Sequence, residues 1–196
     1  MGNEERKEIL QIVKEHKRLL SAFKSKGIDN IFSASSVITK TLRAGGCVYT
    51  CGNGGSAADA QHIAAELVGR YEKERQGYAA VALTTDSSVI TSVSNDYGYE
   101  SIFYKQVEAL VKQGDILWAI STSGDSGNVV KAAKLAKEKG ATLLAFTGKP
   151  GSTLEKMADI CFCANSQSAA RSQEIHQLGY HIICGLVEQN MSVNEG

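Results

Sequence analysis

His62 and Glu66 stand four residues apart in Asp59-Ala60-Gln61-His62-Ile63-Ala64-Ala65-Glu66-Leu67, a stretch with helical spacing, so their side chains share one face. An imidazole and a carboxylate so placed can hold a metal ion or pass a proton. The same spacing also describes an ordinary surface pair. A second polar set lies far downstream, Gln173, Glu174, His176, Gln177 and His181, in an otherwise apolar segment. Gln173, Gln177 and His181 step by four along one side. His181, between Tyr180 and Ile182-Ile183, equally suits a core histidine with its hydrogen bonds satisfied.

Two other segments have the chemistry of anion sites. Gly52-Asn53-Gly54-Gly55-Ser56 follows a short apolar run and opens a helix; glycines admit a ligand close to the backbone, and a helix N-terminus offers free N–H groups. Ser56 would serve as its N-cap, and a tight turn with a capping serine is the competing account. Ser121-Thr122-Ser123-Gly124-Asp125-Ser126-Gly127-Asn128 places four hydroxyls within six residues before another helix. Such density favours phosphate held by donors and a helix dipole over an N-cap alone. Asp125 would oppose an anion, so it is expected to face solvent. Neither segment is a dinucleotide GxGxxG loop or a GxxxxGK[ST] loop, so no nucleotide cofactor is expected. Asn95-Asp96 reads either as an Asx turn or as an amide and a carboxylate offered to sugar hydroxyls. Arg70 ends its helix as a macrodipole partner, and Lys73, Glu74 and Arg75 read as a solvated turn.

Alternating helices and strands must position these groups. Two amphipathic stretches, 4–25 and 28–44, lead the chain and end at Gly45-Gly46. Short β-prone runs follow at Cys47–Cys51, Ala79–Leu83, Ile116–Ile120, Thr142–Phe146 and, more weakly, Ile160–Cys163. Helical stretches lie between them near 56–70, 87–94, 99–112, 127–139 and 152–158, and a last helix covers about 169–191. The expectation is an α/β three-layer sandwich: a parallel five-stranded sheet flanked by helices, with two leading N-terminal helices. Residues 1–196 are expected to be one domain, with a helical pair over 1–45 and the α/β core with its last helix over 46–196. The leading helices have no sheet crossover to make and, with the long last helix, could pack on a partner subunit.

Composition narrows the class. The chain has 196 residues, 43% hydrophobic and 21% charged, which suits a globular domain with a real core. Lys plus Arg number 21 and Asp plus Glu 21, a balance without the basic footprint of nucleic-acid or anionic-lipid binders. No run nears the roughly 20 apolar residues of a membrane span. The charged start lacks a signal-peptide core, and Arg6 and Lys7 do not suit a myristoylation signal. Cys47, Cys51, Cys161, Cys163 and Cys184 are odd in number without CxxC spacing, as expected of reduced thiols in a cytoplasmic protein.

CGNGGSAADAQHIAAELVGRY, the pair Asn95-Asp96, STSGDSGNV and the closing QEIHQLGYHI together resemble the phosphoheptose isomerases of the sugar isomerase (SIS) domain superfamily. The resemblance covers essentially the whole chain with its motifs in order. It implies a SIS-domain sandwich assembled as a homotetramer with active sites at subunit contacts. The implied activity converts sedoheptulose 7-phosphate to glycero-manno-heptose 7-phosphate, the first step toward the heptose of bacterial surface polysaccharide. On that resemblance Ser121, Thr122, Ser123 and Ser126, with Ser56, hold the phosphate. Asn53, Gly54, Gly55, Asn95 and Asp96 line the sugar chain, Glu66 is the catalytic base, and His181 is its partner. Some members bind zinc through the positions matching His62, Glu66, Gln173 and His181, one ion per subunit.

The residue types suit that chemistry. One carboxylate moves a proton between adjacent carbons, and a histidine moves protons between the two enediol oxygens. Three rivals share the fold: a regulator that binds the bacterial replication initiator, a sugar-phosphate sensor, and an isomerase of another phosphosugar. The regulator group lacks the catalytic glutamate and glutamine, whereas Glu66 and Gln173 are both present here. The chain departs from the family at Arg171-Ser172-Gln173-Glu174, where isoleucine is usual in place of Ser172, and in the run Ser166-Gln167-Ser168-Ala169-Ala170. Looser packing beside Gln173 is the expected consequence.

Overall fold

Short apolar, β-prone runs become strands, and the amphipathic stretches between them become the helices that cover the resulting sheet. The computed structural model describes residues 2–192. The order is α1 (Asn3–Lys26), α2 (Ile28–Arg43), β1 (Val48–Gly52), α3 (Gly55–Val68), β2 (Ala80–Ala82), α4 (Ser87–Tyr97) and a 3-10 turn (Tyr99–Ser101). It continues with α5 (Ile102–Leu110), β3 (Ile116–Ser121), α6 (Gly127–Glu138), β4 (Thr142–Thr147), α7 (Thr153–Met157), β5 (Ile160–Cys163) and α8 (Ala169–Ser192). Every strand boundary lies within one residue of its sequence expectation. The expected helix 99–112 divides into the 3-10 turn and α5, and α4 runs on through Asn95-Asp96 to Tyr97.

All pairings are parallel, in the order β2-β1-β3-β4-β5. Alternation along the strands gives the sheet two apolar faces. Ile116, Trp118 and Ile120 join Leu144, Phe146 and Phe162 beneath α2, α3 and α8. Leu117, Ala119, Leu143 and Ala145 face the other way, against Phe103 and Val107 of α5 and the alanines of α6. The result is the three-layer α/β sandwich, with β3 buried along its whole length.

The leading helices differ in role. Ile31, Ala34 and Ile38 seat one side of α2 in the core beside α8, while Ile28 and Phe32 on α2 stay exposed. The last helix is likewise a core element, through Ile175, Tyr180, Ile183 and Val187. In contrast α1 is held near its end by Leu19, by Phe23 edge-on to Phe162, and by His16 Nδ1, 2.7 Å from Glu174 Oε2. Ile9, Leu10, Ile12 and Val13 on α1 stay exposed.

Strand order reverses at β1: β2 follows it on one side and β3 lies on the other. Ligands of open α/β sheets bind in the crevice at such a point, beyond the carboxyl ends of the strands. The loops leaving β1 and β3 are the glycine and hydroxyl segments singled out from the sequence. No helix among the described residues is long and apolar enough to cross a membrane.

Candidate active site

His62 and Glu66 of α3 and His181 of α8 converge. Their ligand atoms all lie within 4.8 Å of one another. His62 Nε2 is 2.9 Å from Glu66 Oε1 and 3.4 Å from His181 Nε2. The helices bring them together because α3 and α8 run side by side over one face of the sheet, held by Ile63, Leu67, Ile183 and Val187. The three side chains are half-buried, accessible to a ligand from one side. Burial and the nearby His62 push the His181 imidazole below its ordinary value, against the pull of Glu66, which keeps it neutral at pH 7.

This donor set fits a metal ion. Two imidazole nitrogens on bonds of about 2.05 Å at a tetrahedral angle stand about 3.3 Å apart, close to the separation of the two histidine nitrogens here. The carboxylate supplies a third, anionic donor. Gln173, the fourth residue of the expected set, sits two turns of α8 before His181, with its amide over Gly55 at the start of α3. A Cβ on Gly55 would overlap that amide, so a larger residue there would displace the Gln173 side chain.

The loop after β1 turns through Gly54, whose φ of 56° favours glycine and makes it the residue before the helix. Ser56 is therefore not the N-cap expected from the sequence. It lies inside the first turn of α3, buried. After β3, Ser126 does stand at the N-cap position of α6 but spends its hydroxyl elsewhere, 3.0 Å from Ser121 Oγ. Ser121 Oγ also accepts from the Gly124 N–H and lies 3.3 Å from Ser123 Oγ. The hydroxyls of 121, 123 and 126 thus form one cluster at the positive end of α6, with Thr122 beside it. Asp125 faces solvent as expected and accepts from the Thr153 N–H at the start of α7.

Several contributors were not visible as site residues from spacing. Asn128, buried at the start of α6, exchanges two amide hydrogen bonds with Asn53, each 2.9 Å, tying the two loops together across the crevice. The Tyr99 hydroxyl donates to Asn53 Oδ1 at 2.8 Å. The Glu100 carboxylate rests over Gly127 at the N-terminus of α6. Asn95 and Asp96 bond to each other on the exposed last turn of α4 rather than forming an Asx turn after it. Ser172 is fully buried, donates to the Ser168 carbonyl at 2.9 Å and lies against Gly148, so the packing beside Gln173 is filled rather than loosened. The core histidine of α8 is His176, wholly enclosed with Nε2 at 2.9 Å from the Thr147 carbonyl oxygen; burial pushes it down to about 4.

Of the charged triplet after α3, Lys73 and Glu74 are exposed as expected, but Arg75 is not. Arg75 is 7% exposed and pairs with Glu188 of α8, 3% exposed, at 3.0 Å. Its guanidinium also donates to the carbonyls of Glu66, Leu67, Gly69 and Gln76. Glu188 accepts from the N–H groups of Tyr71, Glu72 and Lys73. The same loop carries Tyr71, whose ring centroid is 5.9 Å from that of His181.

The parallel three-layer sandwich is that of a SIS domain: the family model described as "SIS domain" matches residues 11–148. A phosphoheptose isomerase of Roseiflexus sp. (strain RS-1) is 48% identical over 161 residues, 82% of each chain. That of Aquifex aeolicus is 45% identical over 92% of this chain and 95% of its own. The solved structure of a phosphoheptose isomerase from Francisella tularensis superposes with a TM-score of 0.91 at 35% identity, over 96% of this chain and 100% of that one. The chain belongs to the phosphoheptose isomerase family.

Proposed function

We propose that this chain is an aldose–ketose isomerase that converts sedoheptulose 7-phosphate to D-glycero-D-manno-heptose 7-phosphate through an enediol(ate). The observation that carries the reading is the meeting, within one protomer, of His62 and Glu66 on the helix that leaves the glycine loop with His181 of α8.

In this reading Ser121, Thr122, Ser123 and Ser126, with Ser56, take the phosphate at the start of α6. Asn53, Gly54, Gly55, Asn95, Asp96 and Gln173 meet the sugar hydroxyls. Glu66 takes the proton from the carbon beside the carbonyl and returns it to the neighbouring carbon. His181, neutral at the working pH, passes protons between the two oxygens of the enediol. Zinc held by His62, Glu66 and His181, with Gln173 as the family's further ligand, would polarise the carbonyl oxygen when bound. A carboxylate tied to the metal is a weaker base, so the two roles of Glu66 compete.

The finer reading is a single cytoplasmic domain that assembles as a homotetramer and opens the route to the heptose of bacterial surface polysaccharide. The uncovered apolar stripe of α1 (Ile9, Leu10, Ile12, Val13) supports assembly through that helix. Incubation of the purified protein with sedoheptulose 7-phosphate, followed by chromatography of the aldose product, tests the reaction. Formation of the heptose 7-phosphate is expected, and absence of product from any heptulose phosphate would overturn the assignment. A narrower expectation concerns Gly55. Gly55→Ala should leave the fold intact but push aside the Gln173 amide, lowering kcat/KM by about 10²-fold in the same assay.

A further inference from the structure

We propose that Asp125 is a positioning residue for the hydroxyl loop: by accepting the Thr153 N–H, its carboxylate latches that loop to the start of α7 and so holds Ser123 and Ser126 where the phosphate is taken up. The inference rests on the phosphate reading above and deepens it. A carboxylate among hydroxyls is out of place in a loop that binds an anion, because like charges repel. What it holds explains its presence. Asp125 Oδ1 accepts the Thr153 N–H at 2.9 Å, while the Asp125 N–H itself donates to Ser123 Oγ at 3.2 Å. Both donors are backbone N–H groups, so the direction of each bond is fixed. Contacts to the Thr153 side chain and backbone hold the Asp125 carboxyl below its ordinary value, as partners of the ionised form do.

The rest of the seam between the two segments has the same design. A helix leaves its first N–H groups without partners, and an N-cap side chain ordinarily takes one of them. Ser152 stands at the N-cap position of α7, yet its buried hydroxyl makes no hydrogen bond among the described residues. The α7 donors cross to the hydroxyl loop instead, Thr153 N–H to Asp125 and Leu154 N–H to the Gly124 carbonyl at 2.9 Å. After β4, the Gly148 N–H donates to the Thr122 carbonyl at 3.0 Å. The loop is thus tied at 122, 124 and 125 to the segment 148–154. Gly124, with a φ of 72°, packs directly against Ser152, where a Cβ would overlap that side chain. Of the three ties only the one at Asp125 is made by a side chain, so it is the one a substitution deletes.

The test compares Asp125→Ala, which removes the acceptor, with Asp125→Asn, which removes the charge and keeps an acceptor oxygen. Asp125 is exposed, so both variants are expected to fold. Thr153→Pro deletes the donor from the other side of the seam. Proline suits the first position of a helix, and Ser152 before it is already extended, with φ −68° and ψ 163°. With sedoheptulose 7-phosphate, Asp125→Ala and Thr153→Pro should each raise KM about 10-fold with kcat little changed, the signature of lost ground-state binding. The double variant should show no further rise, because both changes break one bond. Asp125→Asn should keep KM at or below that of the unaltered chain. Inorganic phosphate, titrated by calorimetry, should bind more weakly to the alanine and proline variants and not to Asp125→Asn. Equal shifts in the alanine and asparagine variants, of either sign, or no shift in either, would overturn the proposal. An unaltered chain that binds no phosphate would overturn it together with the site reading. Phosphate bound by the unaltered chain and weakened in Asp125→Ala supports the latch even without turnover of a heptulose phosphate, so a failure of the substrate assignment is seen separately.

Discussion

A Glu66→Gln protein is expected to bind a sugar phosphate as tightly as the unaltered chain and to turn it over about 10⁴-fold more slowly. The amide matches the carboxylate in shape, so packing on α3 and the nearby His62 and His181 rings stay in place. What is lost is a group able to take a proton from carbon. Steady-state kinetics should therefore show the loss in kcat with KM held. Zinc content must be measured alongside, because Glu66 is also the only anionic donor of the three. Recovery of turnover on adding excess zinc would make the carboxylate a ligand and move the base elsewhere. No recovery in a zinc-replete variant identifies it as the base.

The second large effect is on stability. Glu188→Ala is expected to cost about 3 kcal/mol in chemical denaturation, since it strands Arg75 and the backbone N–H groups of 71, 72 and 73 together. The lower part of the range for broken buried pairs applies, because the pair lies beneath an exposed loop close to the surface. The pH dependence has a definite sign. Burial raises the Glu188 carboxyl, but the three N–H donors and the Arg75 guanidinium outweigh it and hold it below its ordinary value. A depressed folded value means the contribution is complete above the unfolded carboxylate value near 4.3. It is lost as the pH falls through the still lower folded value. The unaltered chain should therefore lose stability in that acid range more steeply than Glu188→Ala does. Because the loop also carries Tyr71 against His181, the variant should lower kcat before it unfolds.

How much the sequence revealed depended on whether the signal was local. Strands announced themselves as short apolar, β-prone runs, the first followed by glycines, and the five-stranded parallel sandwich followed from their alternation with helices. The His62–Glu66 face was legible from a spacing of four, and the hydroxyl loop from its density. Arg75 was misread because a charged triplet between helix and strand looks solvated, and its partner Glu188 stands 113 residues away. Asn128 was passed over for the same reason: its amide acts on Asn53, 75 residues away, at a separation no periodicity encodes. The choice between the two histidines of α8 also needed three dimensions, since His176 and His181 both sit among apolar neighbours, yet only His176 points into the sheet. Ser56 failed as a cap because Gly54, with its left-handed φ, ends the turn first.

The mutual amide clasp between Asn53 and Asn128 spans the crevice before any ligand arrives. On the proposed function, an anion taken up there would find the two loops already joined and would spend little of its attraction on freezing loose chain.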